Sequence, residues 1–120
     1  MLKKPLRSAF TLVEIMVVVV IIGIIAAIAV PAFNQARTQA QTNAIIENLR
    51  VIASAGQQYL IANGSESTVT VGELVTAKYL DASPTPVSNE SYDALSVSNS
   101  GSSLSVTATN IQADPIVYNY

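Results

Sequence analysis

The chain contains no cysteine, no histidine and no tryptophan, and only 12% of its 120 residues are charged. Without thiols there are no disulfides and no thiolate metal sites. Without imidazoles the Ser-His and Cys-His nucleophile arrangements are excluded as well. The carboxylates form no pair with a recognisable catalytic spacing, so the sequence predicts neither an enzyme nor a bound cofactor. Positive charge is scarce, with six Lys and Arg against eight Asp and Glu. Lys3, Lys4 and Arg7 all precede Phe10, so from Phe10 onward eight acids face only Arg37, Arg50 and Lys78, a net charge of −5. A surface of that sign repels phosphate backbones, and no nucleic-acid partner is expected.

What the chain does have is apolar surface, which makes up half of its residues and is unevenly distributed. Ile15 to Phe33 runs for nineteen residues without a charged or strongly polar side chain, and everything after Asn34 reads as an ordinary soluble sequence. As a helix the run spans roughly 28 Å, against about 30 Å for the hydrocarbon core of a bilayer. The basic cluster lies before it and none follows, so the positive-inside rule predicts a single span with Met1 in the cytoplasm and the remainder outside. Glu14 stands at the edge of this helix, where an ionised carboxylate costs a few kcal/mol even on lenient insertion scales. Either it reaches back to the interface as the last polar residue of the flank, or something compensates it.

The segment Ser8-Ala9-Phe10-Thr11-Leu12-Val13-Glu14 resembles the processing site of type IV prepilins and type II secretion pseudopilins. The resemblance covers about Lys3 to Phe33, with a short basic leader before the site and Gly23 and Pro31 at spacings where such proteins often carry glycine and proline. It implies that a membrane peptidase cuts between Ala9 and Phe10 and methylates the new amino group of Phe10. Ala9 departs from the glycine usual before the cut. The resemblance gives Glu14 a role in assembly, neutralising the mature amino terminus of a neighbouring subunit, and two opposite charges buried together cost much less than either alone. Pro31 removes a backbone donor and clashes with the Ala27 carbonyl, which with the weak propensity of Gly23 predicts a hinge in the helix. The resemblance adds that helices of this family are often partly melted there in the filament, although glycine and proline are also simply commoner in membrane helices.

The same amino-terminal segment admits a second reading. Ala27-Ile28-Ala29 is a small-residue cleavage pattern after a basic region and an apolar stretch, as in an ordinary secretory signal. That cut leaves no anchor and no use for the Phe10 to Glu14 motif, and the apolar stretch is longer than usual. The corresponding alternative function is an exported or membrane-tethered binding module, for which Glu14 is dispensable.

Beyond Pro31 a helical period continues through Phe33, Ala36, Ala40, Ala44, Leu49, Ile52, Gly56 and Tyr59, predicting an amphipathic continuation that ends in a left-handed stop at Asn63-Gly64. Thr70-Val71-Gly72-Glu73 is a capping box with Val69 and Leu74 placed as a hydrophobic staple, predicting a short helix from Val71 to about Leu80. Pro84 and Pro86 mark an extended linker. Tyr92 to Val97 and Leu104 to Ala108 read as a hairpin around the Ser98 to Ser103 loop, with a further strand at Ile116 to Tyr118. The expected fold class is α+β: a long helix, membrane-spanning then amphipathic, packed on a small antiparallel sheet. The expected organisation is a leader at 1–9, an assembly helix at 10–33 and an extracytoplasmic pilin-like domain at 34–120.

Asp81, Glu90, Asp93 and Asp114 match no calcium-loop template and read as solvated loop acids, so no metal is expected. Tyr92, Tyr118 and Tyr120 read as half-buried packing residues. Asn63-Gly64-Ser65 and Asn89-Glu90-Ser91 match the glycosylation acceptor pattern, which arises easily by chance. By its resemblance the chain is expected to be a filament subunit with a prepilin peptidase, an assembly platform protein and its ATPase, and identical or related subunits as partners. The lack of a disulfide-bounded loop tilts the expectation from a surface pilus toward a secretion pseudopilus.

Overall fold

The computed structural model describes residues 2, 9–101, 103–112 and 114–120. Lys3, Lys4, Arg7 and Ser8, and so most of the expected leader, lie outside the described residues. The architecture is α+β: helix α1 (Leu12–Ala62), strand β1 (Thr68–Thr70), helix α2 (Val71–Thr76), and strands β2 (Ser96–Ser98), β3 (Ser103–Val106) and β4 (Ile116–Asn119). Two compact units divide the chain, Met1–Ala36 and Arg37–Tyr120.

In the first unit every described residue is exposed. Its Val- and Ile-rich stretch has poor intrinsic helix propensity, because β-branched side chains lose rotamer freedom against the preceding turn. In lipid the ranking matters little, since a helix satisfies every backbone group internally and an isolated extended segment cannot. The helix is long and apolar enough to cross a membrane by length and composition. Helical conformation continues through Pro31.

The second unit is built on the later part of α1, which buries Ile45, Leu49, Ile52, Ala53, Gly56 and Leu60. These follow three- and four-residue steps, the spacing that keeps one face inward. The expected stripe is therefore realised from Leu49 onward, but Ala36, Ala40 and Ala44 are exposed. Ile45 fills the core in place of Ala44, because it lies one turn before Leu49 on the inward face, whereas Ala44 is turned about 100° away from Ile45 around the helix.

Gly56 sets how closely the sheet can approach. A Cβ at this position would lie 2.5 Å from both the Cβ and the Cγ2 of Val97, whose side chain is fully buried. Val97 is the central residue of β2 and pairs with Val69 of β1, so β1 and β2 form one antiparallel ladder. β3 and β4 form a second, with Leu104 opposite Tyr118 and Val106 opposite Ile116. The expected hairpin between 92–97 and 104–108 is thus not formed: each segment takes another partner. β1 was missed because its three residues run directly into the Thr70 cap, whereas Ile116 to Tyr118 does form a strand. The Ser98 N–H, turned away from β1, donates to the Tyr120 hydroxyl at 2.9 Å.

α2 carries the expected capping box. The Glu73 N–H donates to Thr70 Oγ1 at 3.4 Å, and the Thr70 N–H donates to the Glu73 carboxylate at 2.7 Å. Val69 and Leu74 are both buried, as the staple requires. The helix is shorter than expected, ending at Thr76 rather than near Leu80. Lys78 adopts φ of 61°, and the N–H groups of Lys78 and Tyr79 return to the carbonyls of Val75 and Leu74 at 3.2 and 2.9 Å, a Schellman closure with lysine where glycine is usual. Asn63-Gly64 makes no such closure, since among the described residues φ is positive only at Lys78, Asn89 and Gly101. Instead the Asn63 N–H and side-chain amide both donate to the Tyr59 carbonyl, at 2.9 and 3.1 Å.

Two stability predictions follow from this geometry. Gly56→Ala, which gains about 1 kcal/mol in helix propensity, is expected to destabilise the unit by about 1–3 kcal/mol net through overpacking against Val97. Adding Val97→Ala should cost less in that background than in the wild type. Lys78→Gly is expected to stabilise by about 0.5–1 kcal/mol by relieving the left-handed backbone. Denaturant unfolding of the full chain in detergent measures all of these.

Candidate functional site

The residues that the sequence singles out, Ala9, Phe10, Glu14, Gly23 and Pro31, all fall in the first unit. Ala9 and Phe10 precede α1 and are exposed, Phe10 at 84%. Phe10 and Glu14 line one apolar recess with Val13, Ile15, Val17 and Val18. Gly23 and Pro31 lie farther along α1, and neither lines that recess. A Cβ at Gly23 would meet nothing within 4 Å.

The carboxylate of Glu14 is engaged by Thr11. The Thr11 N–H and hydroxyl donate to Glu14 Oε2 at 2.9 and 3.1 Å, and Thr11 Oγ1 accepts from the Glu14 N–H at 3.3 Å. This is a second capping box, with Thr11 as N-cap and Glu14 at the third helical position. The carboxylate also sits at the positive end of the helix dipole. Thr11 therefore belongs to the site, although the sequence reading passed over it. The signal was present as Ser/Thr-x-x-Glu immediately before an apolar run, the same pattern recognised at Thr70. A cut between Ala9 and Phe10 leaves the Thr11 N–H an ordinary peptide donor, so the box is chemically compatible with processing.

In the second unit one of the four acids read as solvated is not solvated. Glu90 is only 3% exposed, and its carboxylate accepts from the N–H groups of Val87 and Ser88 at 2.7 and 2.6 Å and from the Tyr92 hydroxyl at 2.6 Å. Asn48 of α1 donates to the same Tyr92 oxygen at 3.0 Å and to the Thr85 carbonyl at 3.4 Å. The carboxylate thus draws the 85–92 loop around itself, and Asn89 makes the bend with φ of 64°. Burial pushes the Glu90 carboxyl up, but the hydrogen bonds from Tyr92 and the backbone outweigh it and hold it below its ordinary 4.5. Burial and then Glu90 push the Tyr92 phenol up to about 12. Tyr92 is accordingly fully buried rather than half-buried, whereas Tyr118 and Tyr120 are partly buried as expected. Asp81, Asp93 and Asp114 are exposed, and no group of three metal-ligating side chains occurs among the described residues.

The family model of the prokaryotic N-terminal methylation motif matches residues 4–30. Type IV major fimbrial protein FimA of Dichelobacter nodosus is 38% identical over 93 residues, covering 72% of this chain and 58% of that protein. Type II secretion system core protein G of Pseudomonas aeruginosa is 34% identical over 85 residues, covering 71% and 60%. A fimbrial protein of Moraxella nonliquefaciens is 33% identical over 78 residues, covering 61% and 51%. The chain thus spans between half and three fifths of the length of these curated relatives, and none of their names is that of an enzyme. No solved structure matches it significantly.

Glu90→Gln is expected to destabilise the second unit by about 1–3 kcal/mol, because a neutral amide cannot accept all three hydrogen bonds as strongly. Since the folded pKa is depressed, the stabilisation by Glu90 is complete above 4.5 and is lost as pH falls through the lower folded value. Denaturant midpoints measured from neutral to acid pH should fall less steeply for the variant than for the wild type.

Proposed function

Because the chain belongs to the family of type IV prepilins and type II secretion pseudopilins, we propose that it is a structural subunit of a pilus-like or pseudopilus filament, anchored in the membrane by the apolar part of α1 before assembly. The observation that carries this reading is one carboxylate, Glu14, at the head of a helix whose apolar side chains are all exposed from Leu12 to Ala36, inside the segment matched by the methylation motif.

The mechanism follows from where each group finds a favourable environment. A peptidase cuts between Ala9 and Phe10 and methylates the Phe10 amine, which remains a cation after methylation. In the bilayer the apolar helix is at home, and Glu14 is tolerated at its edge because Thr11 supplies two donors. During assembly the Phe10 ammonium of one subunit meets Glu14 of another, and the paired charges make the apolar interface of packed helices accessible to both. Gly23 and Pro31 supply the compliance a helix needs to adapt to its neighbours. The chain spans the inner membrane once, amino terminus in the cytoplasm, and its second unit faces the periplasm or cell surface. The work of extraction comes from an assembly platform protein and its ATPase, with identical or related subunits in the fibre. This role involves no catalytic step by the chain itself.

Intact mass and amino-terminal sequencing of protein from membranes of a host with a prepilin peptidase test the processing. A chain that begins at Phe10 and carries one methyl group is expected. A chain that begins at Val30 would mean an exported soluble domain instead. Glu14→Ala should still be cut and retained in the membrane, yet yield no sheared or surface-exposed fibres. Normal fibres from this variant would remove Glu14 from the assembly contact.

A further inference from the structure

Asn63 closes the carboxyl-terminal end of α1, and Asn63-Gly64 is the sole asparagine-glycine pair among the eight asparagines of the chain. Both residues are exposed in the turn that leads to β1. A Cβ at Gly64 would meet nothing within 4 Å, so the space beside its Cα is open. Among the described residues no carbonyl accepts a hydrogen bond from the Gly64 N–H, which leaves that nitrogen free of an internal partner. We propose that Asn63 is a self-modification site, at which the chain converts its own asparagine into aspartate and isoaspartate without an enzyme.

The chemistry is a ring closure and a hydrolysis. The Gly64 amide nitrogen attacks Asn63 Cγ and forms the new N–C bond. The Cγ–Nδ2 bond breaks, and ammonia leaves with the proton from the glycine nitrogen. Water then opens the succinimide at either carbonyl, giving an aspartyl chain from one cleavage and an isoaspartyl chain from the other. Glycine permits the attack because it has no side chain to shield its nitrogen and the widest backbone freedom.

The structure gives the conversion a consequence. The Asn63 side-chain amide donates to the Tyr59 carbonyl at 3.1 Å, and a carboxylate cannot. The new negative charge stands at the negative end of α1, whose last turn has no basic residue to offset it. Burial first, and then the charges of Glu66 and Glu73, push the Tyr59 phenol above its ordinary value, so the change adds charge of the same sign as theirs. The isoaspartyl product also inserts an extra backbone carbon into a turn held by the Glu66 N–H to the Asn63 carbonyl at 3.0 Å. Tyr59 packs edge-on to Tyr79 with ring centres 5.4 Å apart, so loosening this helix end reaches the turn after α2.

The test is incubation of the purified full chain, in detergent, in warm and mildly alkaline buffer, followed by peptide mapping. The peptide containing Asn63 and Gly64 is expected to gain about one dalton and to split into aspartyl and isoaspartyl forms. The peptide containing Asn99-Ser100, an exposed pair of similar polarity, should change at least ten-fold more slowly. Gly64→Ala, for which the turn has room, should suppress the conversion. No gain at Asn63, an equal gain at the other asparagines, or an unaltered rate in Gly64→Ala would each overturn the assignment. Asn63→Asp, made directly, should lower the thermal midpoint of the full chain; an unchanged midpoint would overturn the structural consequence.

Discussion

The approach of Val97 to Gly56 is the contact on which the arrangement of the second unit depends. A helix with any side chain at that position holds a sheet off by the width of a methyl group, whereas here the valine of β2 rests against bare backbone. Once Val97 is seated, Val69 opposite it is fixed in register, and with Val69 the start of α2, because Thr70 is both the last residue of β1 and the helix cap. Leu74 and Leu80 reach the same core through the turn closed by Lys78. A contact between one absent atom and one branched side chain therefore propagates through three elements that are too short to be stable alone.

The parts of this fold that were legible in the sequence are those fixed by local chemistry. The Thr70 to Glu73 capping box needs only four consecutive residues, and the apolar run from Ile15 to Phe33 needs only composition. The strand partners were not legible, because a three-residue strand such as Thr68 to Thr70 carries no periodicity of its own and its register is chosen by a distant valine. Lys78 was invisible for the opposite reason. Nothing local favours lysine in a left-handed conformation, and its place is dictated by Leu74 and Leu80 on either side. Glu90 was read as solvated because burial of a carboxylate is ordinarily costly. What offsets that cost, a loop folded back to present two amides and a phenol, exists only in three dimensions.

The candidate site shows the same division. Glu14 stood out as the lone charge in an apolar helix, and Phe10 and Ala9 through the motif around it. Thr11 did not, although it shares three hydrogen bonds with Glu14. Because those bonds hold the carboxylate within its own chain, an ammonium from elsewhere must compete with neutral donors already in place. In the assembly proposed above, pairing between subunits would be an exchange of partners rather than the rescue of a bare charge, lowering the cost of the membrane-resident state and the net gain on assembly together.

The bond from the Ser98 N–H to the Tyr120 hydroxyl has a further bearing wherever copies of this chain meet at high concentration. The free edge of β2 is a row of backbone donors and acceptors of the kind that recruits strands from other molecules. A tyrosine lying across that edge occupies a donor that a foreign strand would need. Copies of the chain brought side by side are thereby deprived of one route to indiscriminate cross-β association.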